Sequence, residues 1–196
     1  MKQRLKMKAG LLALLLPLGF GVNAATWKVS NQESNVSYVS IKQGQIAEVN
    51  HFTQVDGQLT ELGAFTLTIP LSSVSTGVPI RDTRMKSVFF EVDRYPNLTL
   101  NAQIDPKVLQ DINVGEVSNV EVAADINLHG ESKSMLFQVT VAKLSTTSLL
   151  VTSTQPVIIN AGQFKLIKGI KKLRDLVGLS EISYAVPVSF VLSLHQ

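Results

Sequence analysis

The chain has 196 residues, of which 45% are hydrophobic and 17% are charged, a balance that predicts one ordinary folded domain and excludes a disordered or low-complexity chain. It contains no cysteine, which excludes disulfides, zinc–thiolate sites, iron–sulfur clusters and thiol catalysis. The formal net charge of +3 suggests an anionic partner only until its distribution along the chain is considered.

The first 24 residues have the pattern of a secretory signal peptide. Four of the 18 Lys and Arg residues stand in the first eight positions, an apolar stretch begins at Leu11, and small residues follow at Asn23, Ala24 and Ala25. We expect cleavage after Ala24, with Ala25 as the alternative, and a periplasmic location in a Gram-negative-type envelope. The apolar stretch is shorter than the roughly 20 residues of a spanning helix. The remaining 14 basic and 15 acidic residues argue against a nucleic-acid partner.

Alternation of apolar and polar residues dominates the chain from Thr26 onward, which is typical of antiparallel strands with one dry and one wet face. The clearest alternating stretches lie at 64–71, 98–104, 120–128, 135–141 and 184–194. Further strands are predicted at 34–41, 49–60 and 149–159, the last interrupted by Pro156. About eight regularly spaced strands, without the helices that a parallel sheet requires, predict a single all-β domain over residues 25–196, either a barrel or a sandwich.

Two segments depart from the alternation. Residues 81–90 (RDTRMKSVFF) predict a short helix or helical turn. Residues 163–177 (QFKLIKGIKKLRDLV) place apolar residues at helical spacing with basic residues between them, and Gly178 stands where such a helix would end.

The residues that usually carry out catalysis are scarce. The three histidines, His51, His129 and His195, stand in no metal-binding spacing. We expect His129 to be a solvated turn residue, His195 to be frayed near the terminus, and His51 to be structural, although it is the best of the poor candidates for a base. The chain has no GxSxG or SxxK motif. We therefore predict no catalytic residue, no metal site and no cofactor.

The most individual stretch is residues 74–100, VSTGVPIRDTRMKSVFFEVDRYPNLTL. It resembles the YceI-like family of secreted bacterial proteins, whose members carry a comparable SVxT…RDxH(L/M)…FF…YP segment. The resemblance extends to residues 36–38, 52–59, 124–141 and 185–194, and so covers almost the whole mature chain. One position departs from the family pattern, because Arg84 stands where the family often has His.

The resemblance implies a lipocalin-like, antiparallel eight-stranded barrel with one or two short helices, which holds a long isoprenoid, a quinone or another amphiphilic lipid in its lumen. Such a barrel is just wide enough to hold one small ligand. The alternation alone leaves open whether the inward side chains surround a ligand or fill a solid core. The larger inward residues are the candidate ligand contacts: Phe65, Leu67, Ile69, Leu98, Leu100, Phe137, Val139, Phe164, Tyr184, Val186, Val188 and Phe190.

Two basic clusters are candidates for polar or membrane contacts. The first comprises Lys165, Lys168, Lys171, Lys172 and Arg174. It can touch an anionic membrane surface transiently, or it can be a solvated helix face whose Lys stems cover apolar surface. The second comprises Arg81, Arg84 and Lys86. These residues can meet a phosphate or carboxylate, or pair locally with Asp82, Glu91 or Asp93.

The sequence and the resemblance together favour the first of three functions, and the other two are alternatives. The first is a non-enzymatic periplasmic carrier or reservoir for a hydrophobic isoprenoid or other lipid. The second is an envelope stress or interaction protein whose barrel is packed solid. The third is an enzyme acting on a lipid or quinone, with His51 as base. The sequence is compatible with a monomer or a homodimer, since Pro187 within a strand pattern indicates an edge or a bulge.

Overall fold

The computed structural model describes residues 26–196, so the predicted signal peptide lies outside the described residues. Strands account for most of the described chain. They are β1 (Thr26–Val29), β2 (Asn35–Lys42), β3 (Ile46–Phe52), β4 (Asp56–Thr60), β5 (Ala64–Pro70), β6 (Val74–Ser75), β7 (Asn97–Gln103), β8 (Val117–Leu128), β9 (Glu131–Ser145), β10 (Ser148–Ser153), β11 (Val157–Asn160) and β12 (Ala185–His195). The helices are α1 (Pro79–Arg84), α2 (Pro106–Gln110) and α3 (Ile167–Leu176), with a π-helical turn (Met85–Phe89) and 3₁₀ turns (Leu71–Ser73, Ala161–Phe164).

The strands form one closed antiparallel barrel. Neighbours follow the order β1-β4-β5-β7-β8-β9-β10-β12, and β12 pairs back with β1 through Lys28 opposite His195 and Val29 opposite Leu194. Closure leaves no free edge in this ring of eight strands, and a free edge would expose unpaired backbone groups. The structure therefore confirms the predicted all-β, eight-stranded antiparallel barrel, and of the two architectures that the alternation allowed it is the barrel that forms.

The sheet has more segments than the barrel has strands because three barrel strands are interrupted. Segments β1 and β2 succeed one another along one side of β12, and β11 continues β10 along its other side. The break between β10 and β11 contains Pro156, as predicted. Segments β3 and β4 divide the strand predicted at 49–60, and here Asn31 bridges the two breaks. Its Oδ1 accepts from Val55 N at 2.7 Å and its Nδ2 donates to Thr53 O at 3.3 Å.

Short helices cover the two ends of the barrel. Helix α2 follows β7 at the end where β4 turns into β5, and it begins at Pro106 with Asp105 as its N-cap. At the opposite end lie α1, the π-helical turn and α3. Helix α3 approaches the π-helical turn so closely that a Cβ added to Gly169 would lie 3.1 Å from Phe89 Cα, so glycine allows this close crossing. Both helical segments predicted from the sequence are therefore confirmed, although the first ends in a wider π-helical turn and the second begins with a tighter 3₁₀ turn.

Side chains on each strand alternate between the inside and the outside of the barrel. On β8, Ala124, Ile126 and Leu128 are buried, whereas Ala123 and Asp125 are exposed. This period of two follows from the pleat of the strand, and it directs one apolar row per strand into the lumen. No helix within residues 26–196 is long and apolar enough to cross a membrane.

Candidate functional site in the barrel lumen

The barrel encloses a cavity of about 480 Å³. Strands β2 to β5 and β7 to β12 all contribute side chains, and the wall is almost entirely apolar. The volume lies within the range of about 300–1,000 Å³ that is usual for small-molecule sites. The cavity reaches the surface at the α1 and α3 end, where the exposed side chains of Val78, Ile80 and Val177 form part of its lining.

Eleven of the twelve predicted contact residues line this cavity. They are Phe65, Leu67, Ile69, Leu98, Leu100, Phe137, Val139, Phe164, Val186, Val188 and Phe190. Tyr184 is not among them, and its side chain is exposed on the surface. Strand β12 begins only at Ala185, and the Ser183 hydroxyl bonds to the backbone of Ala185. The inward alternation therefore does not extend back to Tyr184. Contact of the eleven lining residues with a ligand remains a prediction.

Sequence reasoning missed a second part of the wall. Strands β2 and β3 contribute Val36, Tyr38, Asn50 and Phe52, which pair as Val36 with Phe52 and Tyr38 with Asn50. The rings of Tyr38 and Phe52 lie 5.6 Å apart. Alternation along residues 36–42 was a signal for these positions, but polar residues on the inward side of that strand weakened it.

An ion-pair cluster stands at the open end of the cavity. Glu48 accepts from Lys42, the last inward residue of β2, and from Arg81 of α1, whose Nη1 lies 2.7 Å from Glu48 Oε2. Its hydrogen bond with Lys42, and then the charges of Lys42 and Arg81, lower the pKa of the Glu48 carboxyl below its ordinary value. Glu48 is therefore ionised at neutral pH and shared between two cations.

The local ion pairs that the sequence suggested for the second basic cluster do not form. Arg81 pairs with Glu48, which precedes it by 33 residues. Asp82 Oδ1 accepts from Thr76, at 2.8 Å from the backbone nitrogen and 2.6 Å from Oγ1, and so holds the loop before α1. Arg84 lines the cavity, is half-buried, and makes no ion pair with any described residue. Its guanidinium therefore has no acidic partner among the described residues at the open end of the cavity, which we call the mouth.

Two buried polar atoms in the wall have no hydrogen-bond partner among residues 26–196. They are Tyr38 Oη and Asn50 Oδ1, and Tyr38 and Asn50 are only 9% and 2% exposed. Removal from water raises the pKa of the Tyr38 phenol above its ordinary value, and the nearby charge of Asp82 raises it further. Tyr38 is thus a neutral hydroxyl that faces an apolar cavity without a partner.

The three histidines lie outside the cavity lining. His51 is exposed on the outer face of β3. His129 is 9% exposed, which corrects the prediction of a solvated turn residue. Its Nε2 lies 3.0 Å from Glu91 Oε2, and its ring lies 4.2 Å from that of Tyr95.

His195 also differs from the prediction, since it is paired within β12 rather than frayed. Its Nε2 lies 2.5 Å from Glu33 Oε2, and this bond lowers the pKa of the Glu33 carboxyl. Among the described residues, no group of His, Asp or Glu side chains has a geometry suited to a metal ion.

The first basic cluster divides into paired and unpaired residues. Lys165 pairs with Glu131 across to β9, and Arg174 pairs with Asp175 at 2.6 Å. The other three lysines, Lys168, Lys171 and Lys172, are exposed and form no ion pair with described residues. On the opposite face of the same segment, Phe164, Ile170 and Leu173 line the cavity. Helix α3 thus has one face in the lumen and one basic face in solvent.

Comparison with known proteins gives one family and one fold. Residues 27–194 match the YceI-like domain. A polyisoprenoid-binding domain from Saccharophagus degradans implicated in plant cell wall breakdown is 33% identical, with a TM-score of 0.85 over 88% of this chain and 99% of that one.

Two further crystal structures share the fold at lower identity. BcnA of Burkholderia cenocepacia is 19% identical, with a TM-score of 0.66 over 84% of this chain and 98% of that one. A YceI protein of Campylobacter jejuni is 16% identical, with a TM-score of 0.57 over 80% and 90%. No curated protein matches the chain.

Proposed function

The chain belongs to the YceI-like domain family, and from this premise we propose that it is a periplasmic carrier or reservoir that holds a long isoprenoid or another amphiphilic lipid in the barrel lumen. The observation that carries the proposal is the apolar cavity of about 480 Å³, which reaches the surface beside α1 and α3. A related domain that is 33% identical over 88% of the chain is a polyisoprenoid-binding domain, which supports an isoprenoid as the ligand.

Two alternatives that the sequence left open have less support. A solid barrel requires that its own side chains fill the interior, whereas this barrel encloses a cavity large enough for a small molecule. An enzyme with His51 as base requires that this residue reach a bound lipid, whereas His51 is exposed on the outer face of the barrel. Binding without catalysis is therefore the function that the geometry favours.

Native mass spectrometry of gently purified protein, followed by organic extraction, tests the proposal. We expect the wild type to carry an apolar molecule that Phe137→Asp loses, because Phe137 is 7% exposed and lines the cavity. The matched control is Leu136→Asp, one residue away on the outer face of β9 and 63% exposed, which is expected to keep the ligand. A wild type that is empty and also takes up no added geranylgeraniol contradicts the proposal.

The periplasmic location rests on the amino-terminal pattern and has its own test. Expression of the full chain in a Gram-negative host is expected to release the protein by osmotic shock, with Ala25 as its first residue. Protein that stays in the cytoplasm with an intact amino terminus contradicts this part of the proposal and leaves lipid binding unaffected.

We also propose that the cavity mouth touches an anionic membrane surface while lipid enters or leaves. Exposed apolar side chains, including Ile80 and Val177, surround the opening, and the unpaired lysines Lys168, Lys171 and Lys172 stand on the solvent face of α3. Apolar residues beside a row of lysines are typical of interfacial helices. Attraction between such exposed charges and anionic lipids weakens as salt screens it.

Co-sedimentation with vesicles tests the membrane contact. The wild type is expected to bind vesicles that contain phosphatidylglycerol and to be released by high salt, whereas a variant with Lys168, Lys171 and Lys172 all changed to Gln does not bind. The control changes three exposed lysines elsewhere, Lys28, Lys107 and Lys133, to Gln. Equal binding of the two triple variants refutes the contact.

A further inference from the structure

The polarity of the cavity wall changes in order along β2 and β3. The inward residues of β2 are Val36, Tyr38, Ser40 and Lys42, and all four line the cavity. Consecutive members of this row lie about 7 Å apart, twice the rise per residue of a strand. The wall therefore passes from apolar to neutral polar to charged toward the mouth, which is the sequence of surfaces that an amphiphile with one polar end requires.

The neutral polar part of the wall, at Tyr38 and its cross-strand partner Asn50, contains buried atoms that have no hydrogen-bond partner among the described residues. Asn50 Nδ2 donates to Glu48 O at 3.2 Å and to Ser40 Oγ at 3.4 Å, which fixes the orientation of the amide and leaves Oδ1 without a donor. The neighbouring Tyr38 Oη is equally unpartnered among the described residues. Buried polar groups are almost always hydrogen-bonded, so two adjacent exceptions in the wall of a cavity indicate a polar ligand group between them.

The charged level has a positive excess. Lys42, Arg81 and Arg84 line the mouth. Glu48 pairs with two of these cations, and Asp82 stands beside Arg81 in α1 and is held by Thr76. Arg84 is left with no carboxylate partner among residues 26–196, beside apolar surface where its attraction for an anion is strengthened by the low local dielectric.

We propose that Arg84, Tyr38 and Asn50 form a site for the head of the bound lipid, and that this head is a phosphate monoester. Arg84 pairs with the phosphate charge, and the Tyr38 hydroxyl donates to a phosphate oxygen. Asn50 Oδ1 accepts from the O–H of the singly protonated head. A phosphate monoester fits because it combines negative charge and several acceptor oxygens with an ionisable proton. That proton has a pKa of about 6 in water, and burial in an apolar wall, with only a single unpaired cation beside it, raises the pKa and so favours the singly protonated head. The inference rests on the proposed function, since it places the hydrocarbon chain of the same ligand in the lumen.

Competitive displacement of a neutral apolar fluorophore, phenylnaphthylamine, tests the site. The competitors are geranylgeranyl phosphate and geranylgeraniol, which share one chain and differ in the head. We expect the phosphate to bind the wild type at least tenfold more tightly than the alcohol. In Arg84→Met the preference disappears while the alcohol binds as before, and in Tyr38→Phe the phosphate binds several-fold more weakly.

The control is Arg94→Met. Arg94 is exposed, pairs with Glu91 at 3.7 Å and does not line the cavity, so this variant keeps the full preference. An equal or weaker affinity for the phosphate in the wild type overturns the head site, and so does a preference that survives Arg84→Met. If neither competitor displaces the fluorophore, the proposed function fails together with the head site. If the alcohol displaces it and the phosphate has no advantage, only the head site fails.

Discussion

A substitution that adds one large side chain to the lumen distinguishes a ligand-binding cavity from a packed core. Ala124 lies in the middle of β8, is 4% exposed and lines the cavity between Val122 and Ile126 on the same face of the strand. A benzene ring fits a cavity of about 150 Å³, so the ring added by Ala124→Phe takes up roughly a third of the lumen of about 480 Å³.

The loss of binding can be estimated from the hydrocarbon that the ring displaces. If the ring excludes only three methylenes of a bound chain, at about 0.8 kcal/mol each, affinity falls by about 2.4 kcal/mol, or roughly fiftyfold. Folding stability is expected to be unchanged or higher. The ring enters the lumen instead of displacing packed side chains, and its burial removes apolar surface from water.

Fluorescence titration with phenylnaphthylamine, together with thermal unfolding, measures both effects. The control is Ala123→Phe, which adds the same ring one residue away on the exposed face of β8 and is expected to bind the fluorophore like the wild type. Unchanged affinity in Ala124→Phe refutes the assignment of the lumen as the binding site. A large drop in unfolding temperature refutes the reasoning in a different way, since it means that the position has no room for the ring.

The remaining predictions concern the frame and the mouth. Gly63→Ala is expected to destabilise the protein by several kcal/mol in urea unfolding, because its φ is +83° and a Cβ there would lie 1.7 Å from Ile104 O; Gly115→Ala, with a similar φ but open space around it, costs only about 1 kcal/mol. Hydrogen bonding with Lys42 lowers the folded-state pKa of Glu48 below 4.5, so its stabilisation is present above about pH 4.5 and is lost as pH falls further. The difference in unfolding free energy between wild type and Glu48→Gln is therefore expected to shrink below that pH in urea titrations, and a difference that stays constant from neutral to acidic pH contradicts the ion-pair assignment.

The two-residue alternation of apolar and polar side chains determines much of this fold. Alternation along residues 120–128 is enough to place Ala124 and Ile126 inside the barrel and Asp125 outside, because a strand has only two faces. Phe164 was identified by helical spacing, and the same parity identified the other ten cavity-lining residues. It failed at Tyr184, where parity continued in the sequence but the strand did not, since β12 begins at Ala185.

Contacts between distant parts of the chain could not be read from local patterns. The break between β3 and β4 is contacted by Asn31, which is 24 residues before its partner Val55. Arg81 has an acidic neighbour at Asp82, yet it pairs with Glu48 of β3. Charge pairing is decided by which side chains the fold brings together, and local spacing supplies only the candidates.

The same distinction applies to His129. Its place in a Leu-His-Gly turn suggested solvent exposure, but the ring packs against Tyr95 and bonds to Glu91. The backbone of His129 has a φ of +52° and that of Gly130 a φ of +78°, which directs the turn back onto the protein. Glu91 and Tyr95, which contact the ring, precede His129 by more than 30 positions, so the local sequence pattern did not predict these contacts.

A lumen and a mouth contribute differently to the binding of a lipid that arrives from a membrane. Relative to water, burial of each methylene is worth about 0.8 kcal/mol, but a chain that leaves a bilayer exchanges one dry environment for another and gains little from the apolar wall. The wall then selects by shape, as Ala124→Phe tests, while the balance between membrane and protein depends on the head. Arg84, Tyr38 and Asn50 are the groups that can shift this balance, because among residues 26–196 the Arg84 guanidinium has no ion pair and the atoms Tyr38 Oη and Asn50 Oδ1 have no hydrogen-bond partner. Their loss is therefore expected to weaken extraction of lipid from vesicles far more than the uptake of a neutral apolar probe from water.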